Sequence, residues 1–232
     1  MNAALAYNPR RRAAYIGERA YIGERAYIGE RGFHRREGLM KRMALCLAVY
    51  ALLVAMSASG ISAQGAGWTT LFDGASLKGW NVVGDANWEV AEKALQANKG
   101  TGFLVTPMTY TDFQFTADFW VTDDANSGVF IRCEDPKTIN AMNAYEVNIY
   151  DKRPDQSYRT GAIVDVAKPA SVIMTGGKWN SIDITAKGSK LTVLMNGMKM
   201  VDVDDKKHAK GPIALQYGAG TVKFRNVRVR TL

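Results

Sequence analysis

Residues 64–232 are predicted to form an all-β domain, two packed antiparallel sheets arranged as a jelly-roll sandwich. Three observations predict it. From Trp68 onward, short runs alternate apolar and polar side chains at the strand period of two, punctuated by Gly, Pro, Asn and Asp. No stretch has the 3.6-residue period of an amphipathic helix. About 165 residues carrying eleven or twelve such runs suit one domain of two sheets.

In chain order, strands are expected at 88–90, 94–96, 103–105, 113–121, 126–132, 145–151, 179–185, 190–195, 198–203, 211–217 and 221–230. The clearest is FQFTADFWV (113–121), where Phe113, Phe115, Ala117, Phe119 and Val121 face one way and Gln114, Thr116, Asp118 and Trp120 the other. In YEVNIYD (145–151), Glu146, Asn148 and Tyr150 oppose Tyr145, Val147 and Ile149. In NSGVFIR (126–132), Phe130 and Arg132 oppose Val129 and Ile131, with Cys133 continuing the latter face. Side by side, these two strands gather an acid, a base, an amide and rings on one face, a set suited to the hydroxyls and C–H faces of a sugar. Asn196-Gly197 between two runs predicts a two-residue hairpin, because both central positions of a type I′ turn need positive φ. Asp73-Gly74 reads as a turn, and 152–177, with Pro154, Pro169 and Gly176-Gly177, as a long loop with one short strand near 162–166.

The N-terminal part reads differently. Lys41-Arg42, the apolar run 43–56 and the small residues to Ala63 have the order of a secretory signal peptide at 40–63, cleaved after Ala63 or near Gly60; a retained signal anchor is the rival reading. Upstream, AYIGER occurs three times, at 14–19, 20–25 and 26–31. A six-residue period is too short for a solenoid, so residues 1–39 read as a non-native or disordered extension. The formal charge of +8 partitions accordingly: residues 1–63 hold ten Lys/Arg against four Asp/Glu, the remainder twenty against eighteen. The domain is near +2 without a basic stripe, which argues against a nucleic-acid partner or stable membrane association after cleavage. The expected location is the periplasm or outside the cell.

One cysteine and one histidine, Cys133 and His208, remain after Ala63, too few for a zinc site or an internal disulfide. Cys133 reads as a buried residue. Asp123 and Asp124 leave a calcium site open, against a plain polar turn. No phosphate loop or dinucleotide fingerprint occurs, and no cofactor is expected.

The runs LFDGASLKGW (71–80), Trp88-Glu89-Val90, NSGVFIR, YEVNIYD, Gly161-Ala162-Ile163, KWN (178–180), Asn196-Gly197, GPIALQYG (211–218) and VKFRNVRVR (222–230) together resemble the bacterial secreted 3-keto-disaccharide hydrolase domain, formerly a domain of unknown function. Asn148 stands where relatives commonly have Gln, Val164-Asp165 where they often have Tyr, and the 133–143 loop is short. The resemblance implies a concanavalin-like jelly roll acting on glycosides already oxidised at C3, and hence a functional link to a separate C3-oxidising dehydrogenase.

A ketone at C3 acidifies the C2 proton, so a base can remove it and the C1 substituent can leave by β-elimination, with water adding afterwards. Glu146 is the candidate base, Arg132 the candidate enolate stabiliser, and Asp151 or Asp165 the acid or orienting group. Direct hydrolysis by two carboxylates is the other chemistry. Asn148, Asp165 and Gln216 are candidate substrate contacts, with Trp120 and Tyr150 as sugar platforms; Arg225 and Asn226 also resemble family positions. Against these stand plainer roles: a cross-strand Glu146–Arg132 ion pair, a turn at Asp151, and core packing for Trp80, Trp88 and Trp179. A non-catalytic carbohydrate-binding module and a structural envelope domain are the competing functions.

Overall fold

The computed structural model describes residues 67–232; the expected signal peptide and the AYIGER repeats lie outside the described residues. Thirteen strands follow one another: β1 (Thr69–Thr70), β2 (Asn81–Gly84), β3 (Glu89–Ala91), β4 (Ala94–Ala97), β5 (Gly102–Val105), β6 (Phe113–Val121), β7 (Asn126–Ile131), β8 (Tyr145–Ile149), β9 (Trp179–Lys187), β10 (Lys190–Met195), β11 (Met198–Asp204), β12 (Ala214–Ala219) and β13 (Val222–Thr231). Among the described residues the helical content is one 3-10 turn, Gln156–Tyr158, capped by Asp155, whose carboxylate accepts from the Ser157 N–H.

All strand pairs are antiparallel and form two sheets. The larger runs β11-β10-β9-β6-β13-β4-β3, with β1 added on β13; the smaller runs β2-β5-β12-β7-β8. The sandwich is therefore the expected one. Its core lies between the sheets because each strand's apolar set points inward: Phe113, Phe115 and Phe119 of β6 share one buried cluster with Leu104, Val129, Tyr145, Val147, Ile149 and Leu215 of the smaller sheet. Full burial of each such side chain contributes roughly 1.5–3 kcal/mol. Asn196 and Gly197 have φ of 52° and 76°, as the hairpin between β10 and β11 requires. The Asp73 carboxylate accepts from the N–H groups of Ala75 and Ser76, closing the predicted turn.

Two strands escape the sequence pattern. β1 is two residues long, and β2 reads NVVG with three of four positions exposed, so neither carries a clean alternation. The expected strand at 211–217 begins instead at Ala214, since Pro212 has no N–H to give a ladder.

A further departure bears on the site. Arg132 follows β7 with φ of 54°, left-handed backbone, which breaks the strand's alternation. Cys133 is thereby turned to pack with Phe130, which it was expected to oppose, and with Val105, Ala144 and Ala214. Burial there pushes its thiol up to about 12.

Candidate active site on the five-stranded sheet

Directly paired residues of an antiparallel ladder share a face, so the register defines the outer surface of the smaller sheet. One row crosses all five strands: Val83, Phe103, Gln216, Gly128 and Asn148. The next row is Asn81, Val105, Ala214, Phe130 and Glu146. Glu146 thus sits at the β8 end of this face, with Phe130 beside it.

On its other side lies the long loop. The Asn148 N–H donates to Ala162 O at 3.0 Å, the Gly161 N–H to Asn148 O at 2.9 Å and the Val164 N–H to Glu146 O at 3.0 Å, so 161–164 runs along β8 like a sixth strand. The short strand foreseen near 162–166 is this segment, joined through an antiparallel Val147–Ile163 bridge. It ends in a tight turn at Asp165, φ 60°, a conformation Asp tolerates better than most residues. The preceding arm brings in Arg153, whose guanidinium lies 5.2 Å from the Tyr158 ring centre, and Tyr158, whose hydroxyl faces the Asp165 carboxylate.

The consequence is a carboxyl with an unusual proton affinity. Glu146 is only 9% exposed. Burial pushes its pKa up to about 7; the Arg153 guanidinium works against that rise and the Asp165 carboxylate adds to it. A carboxyl balanced near neutrality by burial and neighbouring charge is suited to proton transfer. The Tyr158 phenol is raised as well, chiefly by its hydrogen bond to Asp165.

The remaining predicted residues fall in three places. Asn148 is fully buried under the loop; its Nδ2 donates to Tyr158 O, and its Oδ1 has no partner. Tyr150, half-buried, stands where β8 gives way to the loop, its N–H donating to Thr160 Oγ1. Gln216 lies two strands from Asn148, with a buried Oε1 that also lacks a partner.

Three expectations need correction. Arg132 is not beside Glu146. With its backbone turned left-handed, its guanidinium donates to Thr111 O, Gly188 O and His208 O and reaches Asp112 Oδ1 at 3.4 Å, using all its donors in a buried clamp between loops. The cross-strand pair with Glu146 is accordingly absent, and Arg153 is the cation that faces this carboxyl. Asp151 is buried and saturated, accepting from Thr160 Oγ1, Thr175 N–H and Oγ1 and Gly176 N–H, so its oxygens fasten both arms of the loop rather than face a substrate. Trp120 faces outward as predicted, but from β6 of the larger sheet, paired with Trp179 and with Lys223 Nζ 5.5 Å from its ring centre.

Sequence reading missed Arg153 and Tyr158. Both lie in an aperiodic segment; the available signal was position, a cation and a ring in a long loop that directly follows the Glu146 strand. His208 is buried, edge-on to Tyr145 with ring centres 4.8 Å apart. Asp123 Oδ2 lies 3.7 Å from Lys152 Nζ.

Comparison with known proteins agrees with this architecture. Among solved structures, a candidate glycosyl hydrolase from Parabacteroides distasonis ATCC 8503 is 26% identical, with a TM-score of 0.63 over 71% of this chain and 99% of that one. A second candidate glycosyl hydrolase from the same organism is 21% identical, with a TM-score of 0.64 over 72% and 94%. The carbohydrate binding module CBM66 from Bacillus subtilis is 20% identical, with a TM-score of 0.55 over 66% and 96%; at that identity the likeness is one of fold. No curated protein matches the chain. The profile of the 3-keto-alpha-glucoside-1,2-lyase-like domain covers residues 67–230, and the chain belongs to that family.

Proposed function

We propose that this protein cleaves 3-keto-glycosides, 3-keto-disaccharides among them, by removing the C2 proton with Glu146. The observation that carries the reading is Glu146 itself: a carboxyl on the outer sheet face, buried, raised to about 7 and facing a cation rather than paired with one.

The steps balance as follows. Ionised Glu146 takes the C2 proton, and the electron pair moves through C2–C3 onto the C3 oxygen, giving an enolate that the Arg153 guanidinium stabilises. As the carbonyl re-forms, the C1–C2 double bond forms and the C1–O bond breaks. The leaving oxygen takes a proton from the Tyr158 hydroxyl, whose partner Asp165 holds it in place. Water then adds across C1–C2: the Tyr158 phenolate takes a proton from the water as its oxygen bonds to C1, and Glu146, its proton exchanged with solvent, returns one to C2, so both groups are restored and the net change is hydrolysis. A separate C3-oxidising dehydrogenase supplies the ketone. The 40–63 segment directs export to the periplasm or beyond, which N-terminal sequencing of the mature protein tests: a start near Gln64 supports it, and AYIGER peptides refute it.

The reaction is tested by incubating the protein and its Glu146→Gln variant with a 3-keto-disaccharide and the unoxidised parent sugar, following products by mass spectrometry. Cleavage of the keto form alone, lost in the variant, is expected. Saturable binding without cleavage would instead identify a carbohydrate-binding module.

A further inference from the structure

Among the described residues, the Arg153 guanidinium that faces Glu146 has no hydrogen bond or close ion pair; what it meets is the Tyr158 ring, 5.2 Å from its centre. Where it points is therefore set by its backbone. On one side the Arg153 N–H donates to Tyr150 O at 3.4 Å, a long bond. On the other stands Pro154, which has no N–H to fasten the chain. The short bond at this position comes from a side chain: Arg159, half-buried, donates its Nε–H to Arg153 O at 2.8 Å, a charge-assisted bond across six residues. Arg159 is itself fixed, because it ends the 3-10 turn Gln156–Tyr158. Its N–H donates to Gln156 O at 3.3 Å, and its carbonyl accepts at 3.0 Å from the N–H of Ala162, on the segment that runs along β8.

Resting on the reaction proposed above, we infer that Arg159 is a positioning residue for it: the Nε–H bond closes residues 153–159 on themselves and so holds the Arg153 guanidinium beside Tyr158 and facing Glu146. The enclosed span includes Tyr158, so one bond sets the spacing between the group that meets the enolate and the group that meets the leaving oxygen. Tyr158 has a second anchor, since Asn148 Nδ2 donates to its carbonyl. Loss of the Arg159 bond therefore frees Arg153 first. The enolate forms only as the C2 proton leaves, so a displaced Arg153 weakens the transition state more than the bound substrate. It also draws positive charge away from Glu146, leaving the Asp165 carboxylate as the charged group that faces it. The Glu146 carboxyl then holds its proton to higher pH.

The test pairs two substitutions that remove the same charge. Arg159→Gln puts an amide Nε2 at the same place along the side chain as the arginine Nε, so the donor is kept; Arg159→Met puts a methyl there, so it is lost. Thermal unfolding by circular dichroism shows that each variant is folded. Each is assayed for kcat and KM on the 3-keto-disaccharide, and the Glu146 carboxyl is titrated by carbon NMR. The expected result for Arg159→Met is a kcat lower by about tenfold or more with KM within about twofold, and a Glu146 titration moved up in pH; Arg159→Gln should stay near wild type in both. In an Arg153→Met background, Arg159→Met should cost nothing further, because it acts through Arg153. Wild-type behaviour in Arg159→Met, equal losses in the two variants, or a further loss in the Arg153→Met background would each overturn the assignment while leaving the reaction standing. A wild type inert toward the keto sugar would overturn the reaction instead, and the Glu146 titration then decides whether Arg159 holds Arg153: moved by Met and not by Gln supports it, unmoved by both overturns it.

Discussion

Replacing Glu146 with Gln should make the domain more stable at alkaline pH while abolishing turnover, a separation that few other substitutions produce. The magnitude follows from the buried carboxyl. Its folded-state pKa is about 7 against an ordinary 4.5, so the unfolded chain releases this proton near pH 4.5 and the folded chain holds it until about 7. Between those values the unfolded state binds fewer protons, and the stability associated with this group falls as pH rises. At about 1.4 kcal/mol per tenfold change in proton affinity, the loss is about 3 kcal/mol, complete above pH 7 and absent below 4.5. Gln fills nearly the same volume and does not titrate. The variant should therefore match wild type near pH 4 and exceed it by about 3 kcal/mol at pH 8 to 9, roughly 6–12 °C in Tm for a domain of this size. Thermal and urea unfolding of both proteins from pH 4 to 9 measures the difference, and groups common to both cancel. Parallel stability curves would refute the reasoning, because they mean that Glu146 titrates alike in folded and unfolded chains.

Four other outcomes follow from the same geometry. The kcat/KM profile on a 3-keto-disaccharide should rise with pH through about 7, since only ionised Glu146 accepts the proton; an ascending limb near 4.5 contradicts its assignment. Arg132→Met should destabilise the fold by about 3 kcal/mol or more in urea, because it strands the carbonyls of Thr111, Gly188 and His208; a catalytic loss in a fully stable variant would restore Arg132 to the site. Asp151→Asn should lower stability by about 2 kcal/mol and speed amide exchange in the 152–176 loop, as the charged acceptor of two N–H groups is lost; unchanged exchange there counts against it as the fastener. Cys133 should resist iodoacetamide at pH 8 and react only in denaturant, given its burial and a thiol pushed up to about 12; ready labelling of the folded protein contradicts this.

Period-two alternation was enough to place the faces of β6 and β8 because both strands pack one side fully against the core. It also put Glu146 on the outer face, and Asn-Gly located the β10–β11 turn. The same rule misplaced Arg132, since a single left-handed residue after β7 reverses the sides and a non-glycine gives no sign of it. It assigned Trp120 to an outer face without saying which sheet that face belonged to. The fastening role of Asp151 was hidden because its four donors come from Thr160, Thr175 and Gly176, 9 to 25 residues away in the chain. Arg153 and Tyr158 were invisible for a related reason: a loop without periodicity acquires its geometry from the contacts that tie it down, here through Asp151 and Asn148.

The central claim is abstraction of the C2 proton, and deuterium at C2 tests it most directly. A 3-keto-disaccharide carrying deuterium at C2 is turned over in ordinary water, with unreacted substrate followed in parallel to correct for background exchange. The account predicts slower turnover than for the protiated substrate, and released keto sugar in which solvent hydrogen has replaced the deuterium. Product that keeps its deuterium, formed at the protiated rate, would contradict it and point to direct hydrolysis at C1.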